Sequence, residues 1–223
     1  MRAGYIKKVT CINQITVWIV DGYYIRSNID IEFANFGHHL RYKYIPKNEF
    51  WIDNAHNKKE RDIFVKHLEL EHKLMHEGKS YAYALRQADL LERKMRKCKI
   101  AKSKRPSKIA HSKLYGKFKH INVWIVDGKY VRDYLYTDFT QGGHDKVYSF
   151  IPKNEIWIED VLSAKEKKFV ILHEIRERNL MRYGWPYYRS KLSAHRASSM
   201  LELYARRHQR LLDRYIRKEI ERI

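Results

Sequence analysis

Apolar and polar positions alternate in two blocks of the same design. VWIVDGYYIR (17–26) and VWIVDGKYVR (123–132) are β-branched and aromatic runs with Asp-Gly at the centre. Asp-Gly between two such runs predicts a hairpin, because a type I′ turn needs positive φ at both central residues. A polar stretch follows, with Phe33 and Phe139 retained and the pairs Gly37-His38 and Gly143-His144. It reads as a loop whose histidines face solvent, near enough to reach the helices that follow. LRYKYIPKNEFWID and KVYSFIPKNEIWIE come next, each interrupted by a proline (Pro46, Pro152) that cannot donate to a ladder. A turn around Pro-Lys-Asn splits each segment and predicts a two-hairpin meander. Trp18, Trp51, Trp124 and Trp157 alternate with polar neighbours, which points to core packing first and base stacking second.

The period then changes to that of helices. Residues 58–77 and 164–182 have helical composition without a breaker, and Gly78 and Gly184 stand where a C′ glycine would end each helix. Second helices are expected over roughly 80–101 and 187–222. The last of these is basic and amphipathic, suited to packing on the sheet, to nucleic acid or to dimerisation, with packing the default.

These blocks form a tandem repeat. An offset of about 106 carries Val17 onto Val123 and Gly78 onto Gly184 without a gap, and roughly 26 of the 62 pairs are identical. Four more residues bring Glu92 onto Glu202. The expected fold is α+β: two homologous units, each a small antiparallel sheet followed by two helices, related by an approximate two-fold axis. The expected boundaries are 1–102 for the first unit, 103–120 for a basic linker and 121–223 for the second unit.

Charge adds a partner class. The net charge is +20 with a pI near 9.8, which predicts attraction to polyanions and nucleic acid, DNA or RNA, above all. Candidate contacts are Arg93, Lys94, Arg96, Lys97, Lys99, Lys102, Lys104, Arg105, Arg206, Arg207 and Arg210. No Walker A, GxGxxG, GxSxG, helix-turn-helix, RNP or KH pattern occurs. No apolar run reaches the 18 residues of a membrane span, and the N-terminus lacks a signal-peptide core. Two unpaired-looking cysteines, Cys11 and Cys98, fit a reducing cytoplasm. Scarce Gln and Cys beside abundant Lys, Arg and Glu lean towards a thermophilic source.

The sharpest chemistry lies in His173-Glu174-Ile175-Arg176-Glu177. His173 and Glu177 are one helical turn apart and share a face. The next helix offers His195 and Glu202, again on one face, beside the small Ser198 and Ser199. Two antiparallel helices would bring His173, Glu177, His195 and Glu202 together, a plausible nitrogen and oxygen set for Zn²⁺ or another divalent metal. The alternative is a buried His-Glu network tying two helices together.

HExxE followed by a second-helix acid resembles the zincin metallopeptidase helix, with Glu177 standing where that family has a second histidine. The resemblance covers residues 173–202 and is of the gluzincin type. It implies that His173 is a metal ligand, Glu174 the general base activating water, and Glu202 the second-helix ligand. The strands ahead of it are similar in order to a minimal zincin core. The ERNLM and AHRA elements are also similar to short proteins of phages and other mobile elements, which implies a host cytosol as the setting. The first copy keeps His67, Glu71 and Glu92 but has Leu68 for Glu174 and Leu85 for His195, so its equivalent site is degenerate. Arg26/Arg132, Tyr24/Tyr130 and Tyr42/Tyr148 are further shared polar residues.

Overall fold

The computed structural model describes residues 3–100, 110–188 and 192–223, with backbone only at 98–100. It is α+β, with seven helices and two four-stranded mixed sheets among the described residues. The chain divides into two compact units. One is Met1–Lys108 with Arg132–Asp138, and the other is Ile109–Val131 with Phe139–Ile223.

The first unit contains β1 (Tyr5–Ile12), β2 (Ile15–Val20), α1 (Gly22–Asn28), β3 (Phe36–His38), β4 (Glu49–Asp53), α2 (Lys58–His76) and α3 (Tyr81–Ile100). Its sheet order is β1-β2-β4-β3. β2 and β4 pair in parallel and the other neighbours antiparallel. Both faces of the two central strands are covered. Val17, Ile19, Phe50 and Ile52 pack on Phe64 and Leu68 of α2, while Val20 and Trp51 pack on Ile25, Phe33, Tyr42 and Ile45. That two-sided burial is what a parallel pair requires.

The second unit follows the same plan. β5 (His111–Phe118), β6 (Ile121–Val126), β7 (Gly142–His144) and β8 (Glu155–Glu159) form a sheet of order β5-β6-β8-β7. The short α4 (Gly128–Tyr134) follows β6, and its residues from Arg132 onward are grouped with the first unit. α5 (Ala164–Arg182), α6 (Ala194–Arg207) and α7 (Leu212–Glu221) complete it. Val170, Ile171 and Ile175 of α5 meet Ile121, Val123, Ile156 and Ile158, with Ile220 and Ile223 packed alongside. The basic C-terminal helix therefore takes its default role of packing, held also by Arg176 to Glu219 at 2.9 Å.

Several expectations are corrected. The expected antiparallel meander is a mixed sheet, because the chain crosses over after β2 and β6 instead of turning back. Asp-Gly does not make the hairpin. Asp21 and Asp127 cap the following helices, accepting from the backbone N–H of Tyr24 (3.0 Å) and Tyr130 (2.8 Å). Glycine follows because a Cβ at Gly22 would lie 1.8 Å from Asp53 Oδ2, and one at Gly128 would lie 2.3 Å from Glu159 Oε1. The true first hairpin turns at Asn13 and Gln14, whose φ values of 46° and 68° are those of a type I′ turn. Its first strand, and its counterpart β5, were not expected; β5 occupies 111–118 of the expected linker, and 103–109 lie outside the described residues. Pro46 and Pro152 precede β4 and β8, in turns closed by Glu49 and Glu155 N–H. The long helix expected over 187–222 breaks at 208–211.

The first helix of each pair ends as expected. Gly184 has φ 88°, with its N–H on Met181 O and that of Trp185 on Leu180 O. Gly78 repeats this at φ 81° on Met75 and Leu74. Both are Schellman caps.

Candidate metal centre

α5 and α6 lie side by side and carry the site. Ser163 and Ser193 cap their N-termini. His173 Nδ1 lies 3.0 Å from Glu202 Oε2, and Arg206 holds the other oxygen of Glu202 at 2.7 Å. His173 Nε2 lies 3.4 Å from Glu177 Oε2. His195 Nδ1 reaches the same oxygen at 2.8 Å. His173, Glu177 and Glu202 are buried, and His195 is part-exposed beneath Tyr187 and Tyr188, each ring 5.5 Å away. The four metal-ligand candidates therefore meet, as the helical spacing predicts.

His144 departs from the expectation. His144, read from sequence as an exposed loop residue, is fully buried on edge strand β7, with Nε2 3.1 Å from Glu177 Oε1. His38 is its counterpart on β3, 2.8 Å from Glu71 Oε1. The available signal was the Gly-His pair present in both copies. Gly143 is needed because a Cβ there would meet the Tyr148 ring at 2.5 Å.

The charges fix what each group does. Burial alone would raise the Glu177 carboxyl, but hydrogen bonds from His144, His173 and His195 hold it well below the usual range. Burial also works against a charged His173, yet Glu177 and Glu202 raise it well above the ordinary imidazole value. Glu202 is lowered, Arg206 and His173 outweighing burial. Glu174 behaves oppositely: burial, then the neighbouring Glu177 charge, raises it to about 8. Its Oε1 would touch a Cβ at Gly142 at 3.2 Å, so it presses against β7.

Two donor sets have ligand atoms within 4.8 Å of one another: His173, Glu177 and His195, and His144, Glu174 and Glu177. They are not equally fit. Lys146 N–H donates to His144 Nδ1 at 3.2 Å, which puts the ring proton on Nε2, towards Glu177. A cation on His144 Nε2 would move that proton to Nδ1, against the Lys146 N–H, whereas His173 can give up its Nε2 proton and keep the one on Nδ1. In the first set, Glu202 receives His173 Nδ1 and leaves Nε2 turned to Glu177, the carboxylate–histidine arrangement that orients a metal ligand. Glu202 thus supports His173 from behind and is absent from both donor sets.

The first unit keeps the frame without the extra groups. His67 Nδ1 lies 2.9 Å from Glu92 Oε2, and Nε2 lies 3.5 Å from Glu71 Oε2. Against burial, these carboxylates raise His67 to about 9, and Glu71 falls to about 2. Leu68 is fully buried where the second unit has Glu174. Arg96 Nε donates to Glu92 as Arg206 Nε does to Glu202, both at 2.9 Å.

That role corrects two nucleic-acid assignments. Arg96 and Arg206 are buried and committed to carboxylates, Glu60 and Glu92 in one case, Glu166 and Glu202 in the other. Arg93, Lys94, Lys97, Arg207 and Arg210 are exposed. The side chain of Lys99, and Lys102, Lys104 and Arg105, lie outside the described residues. Of the tryptophans, Trp51 and Trp157 are buried and donate to Glu49 and Glu155, whereas Trp18 and Trp124 are part-exposed. No described helix is long and apolar enough to cross a membrane. No protein-family model matches the chain, and neither does a curated protein or a solved structure.

Proposed function

We propose that the second unit is a divalent-metal centre, with His173, Glu177 and His195 as ligands and Glu174 as the group that moves a proton. The observation that carries this is the convergence of two imidazoles on Glu177 Oε2, with His173 oriented from behind by Glu202 and Arg206. Mixed imidazole and carboxylate ligands suit Zn²⁺ and its neighbours. A bound divalent ion would supply Lewis acidity. Around it, Glu202 and Arg206 hold His173 in register, His144 fixes the far oxygen of Glu177, and Glu174 offers a buried carboxyl. That set supports a zincin-like hydrolase. We further infer that the two units arose by duplication and that only the second retained the full set.

Metal analysis of tag-free protein tests it. His173→Ala is expected to lose one equivalent of metal relative to the parent and to show a smaller rise in melting temperature with Zn²⁺ than the parent does. Less than a tenth of an equivalent lost, with an unchanged response to Zn²⁺, overturns the proposal.

A second reading has its own support: the net charge of +20 and the exposed Arg93, Lys94, Lys97, Arg207 and Arg210 favour nucleic-acid binding. Binding of labelled DNA or RNA should weaken steeply between about 50 and 200 mM salt. No binding at the lower salt removes this reading.

A further inference from the structure

The two units differ in kind at one place beside the shared frame. By the repeat offset, His39, His72 and His76 of the first unit stand where the second has Asp145, Arg178 and Arg182. In the second unit Arg178 grips Asp145 through Nε (2.6 Å) and a terminal nitrogen (3.1 Å). This ion pair ties α5 to the chain leaving β7.

The first unit has imidazoles there. The His39 and His72 ring centroids are 5.3 Å apart, and those of His72 and His76 are 5.5 Å apart. His72 and His76 are one helical turn apart on α2, so they point the same way. His39 Nδ1 and His72 Nε2 are both buried without a hydrogen-bond partner. Leaving such a group unpaired is costly, so two of them on neighbouring rings call for a partner. His38, 5.2 Å from His72, has its Nδ1 on Leu40 N–H and its Nε2 beside Glu71. Phe50 packs on His72 at 5.4 Å.

We propose that His39, His72 and His76 form a transition-metal site in the first unit, separate from the His67–Glu71–Glu92 network. It takes an ion that favours imidazole, Zn²⁺ or Cu²⁺, over the hard cations Mg²⁺ and Ca²⁺. The ion ties the end of β3 to the last turns of α2, as the Asp145–Arg178 pair does in the other unit. His39 and His72 are part-exposed, and His76, exposed on the last turn, has to rotate its side chain towards them for the three nitrogens to meet on one ion.

The test uses tag-free full-length protein carrying His195→Leu, which removes a ligand of the second-unit centre. Zn²⁺ alone is titrated by calorimetry, with long-range ¹H–¹⁵N spectra of the imidazoles recorded in parallel. One equivalent should bind and move the nitrogen signals of His39, His72 and His76. His39→Asp combined with His72→Arg installs the second unit's ion pair, so the fold is kept, as circular dichroism checks, and saturable binding is lost. Failure of the His195→Leu protein to bind Zn²⁺ overturns the site, leaving bridging water as the partner of the two nitrogens. Binding that shifts other histidines, or that survives in the double variant, overturns it as well. Neither result bears on the second-unit centre, which the His173→Ala comparison decides alone.

Discussion

Glu174→Gln is expected to stabilise the metal-free protein more and more as pH rises. The carboxyl is buried, faces the Glu177 charge and titrates near 8, against 4.5 when unfolded. Between those values the folded chain holds a proton that the unfolded chain has released. Stability is therefore lost as pH rises from about 4.5, and the loss levels off above 8. At about 1.36 kcal/mol per pKa unit, the penalty is about 3 kcal/mol at pH 7. It grows by roughly 3–4 kcal/mol between pH 5 and pH 8. A glutamine does not titrate. Its buried amide has a cost of its own, but one independent of pH, so the slope isolates the carboxyl. Urea denaturation in EDTA reads this directly. With m near 1–3 kcal/mol/M, the gap between the two midpoints should widen by about 1–3 M across that range. Parallel pH profiles for parent and variant would refute the placing of Glu174 in a dry site beside Glu177.

Three further substitutions have defined outcomes, two at buried groups and one in an exposed turn. Arg206→Met should cost about 3–5 kcal/mol at pH 7, because Glu166 and Glu202 lose their shared cation. Glu202 is held below its usual range, so the stability it shares with Arg206 is present above its unfolded value and lost as pH falls; denaturation near pH 4 should show a smaller penalty, and an equal one would contradict the pairing. His67 is raised to about 9, so its contribution is complete below 6.5 and lost as pH rises through 9; His67→Gln should flatten the stability profile over that window, and an unchanged slope would sink the assignment. Gln14→Gly, at φ 68°, should stabilise the first unit by about 0.5–1 kcal/mol in thermal denaturation, and a loss would show that the turn is not type I′.

Some of this architecture was legible along the chain. The helix over 164–182 has the bounds its composition indicates, and Gly78 and Gly184 end their helices with the left-handed backbone expected of them. The meeting of His173, Glu177, His195 and Glu202 followed from helical spacing alone. Asp-Gly misled, because the same pair serves a I′ turn and a helix N-cap. The difference lies in Asp53 and Glu159, distant in sequence, whose carboxyls leave no room for a Cβ.

The sequence by itself determined the repeat, the helix pair and the identity of the side chains on its inner face, because helical periodicity is local. Strand direction, the place of His38 and His144, and the loss of Arg96 and Arg206 from the surface were decided only by tertiary structure. A three-residue edge strand has too little pattern to announce itself, and pairing in a mixed sheet joins segments separated by tens of residues. An arginine on a helix looks the same in sequence whether it faces water or two carboxylates. Which it faces depends on the burial of Glu60 and Glu166, a property of the packed unit and not of the chain.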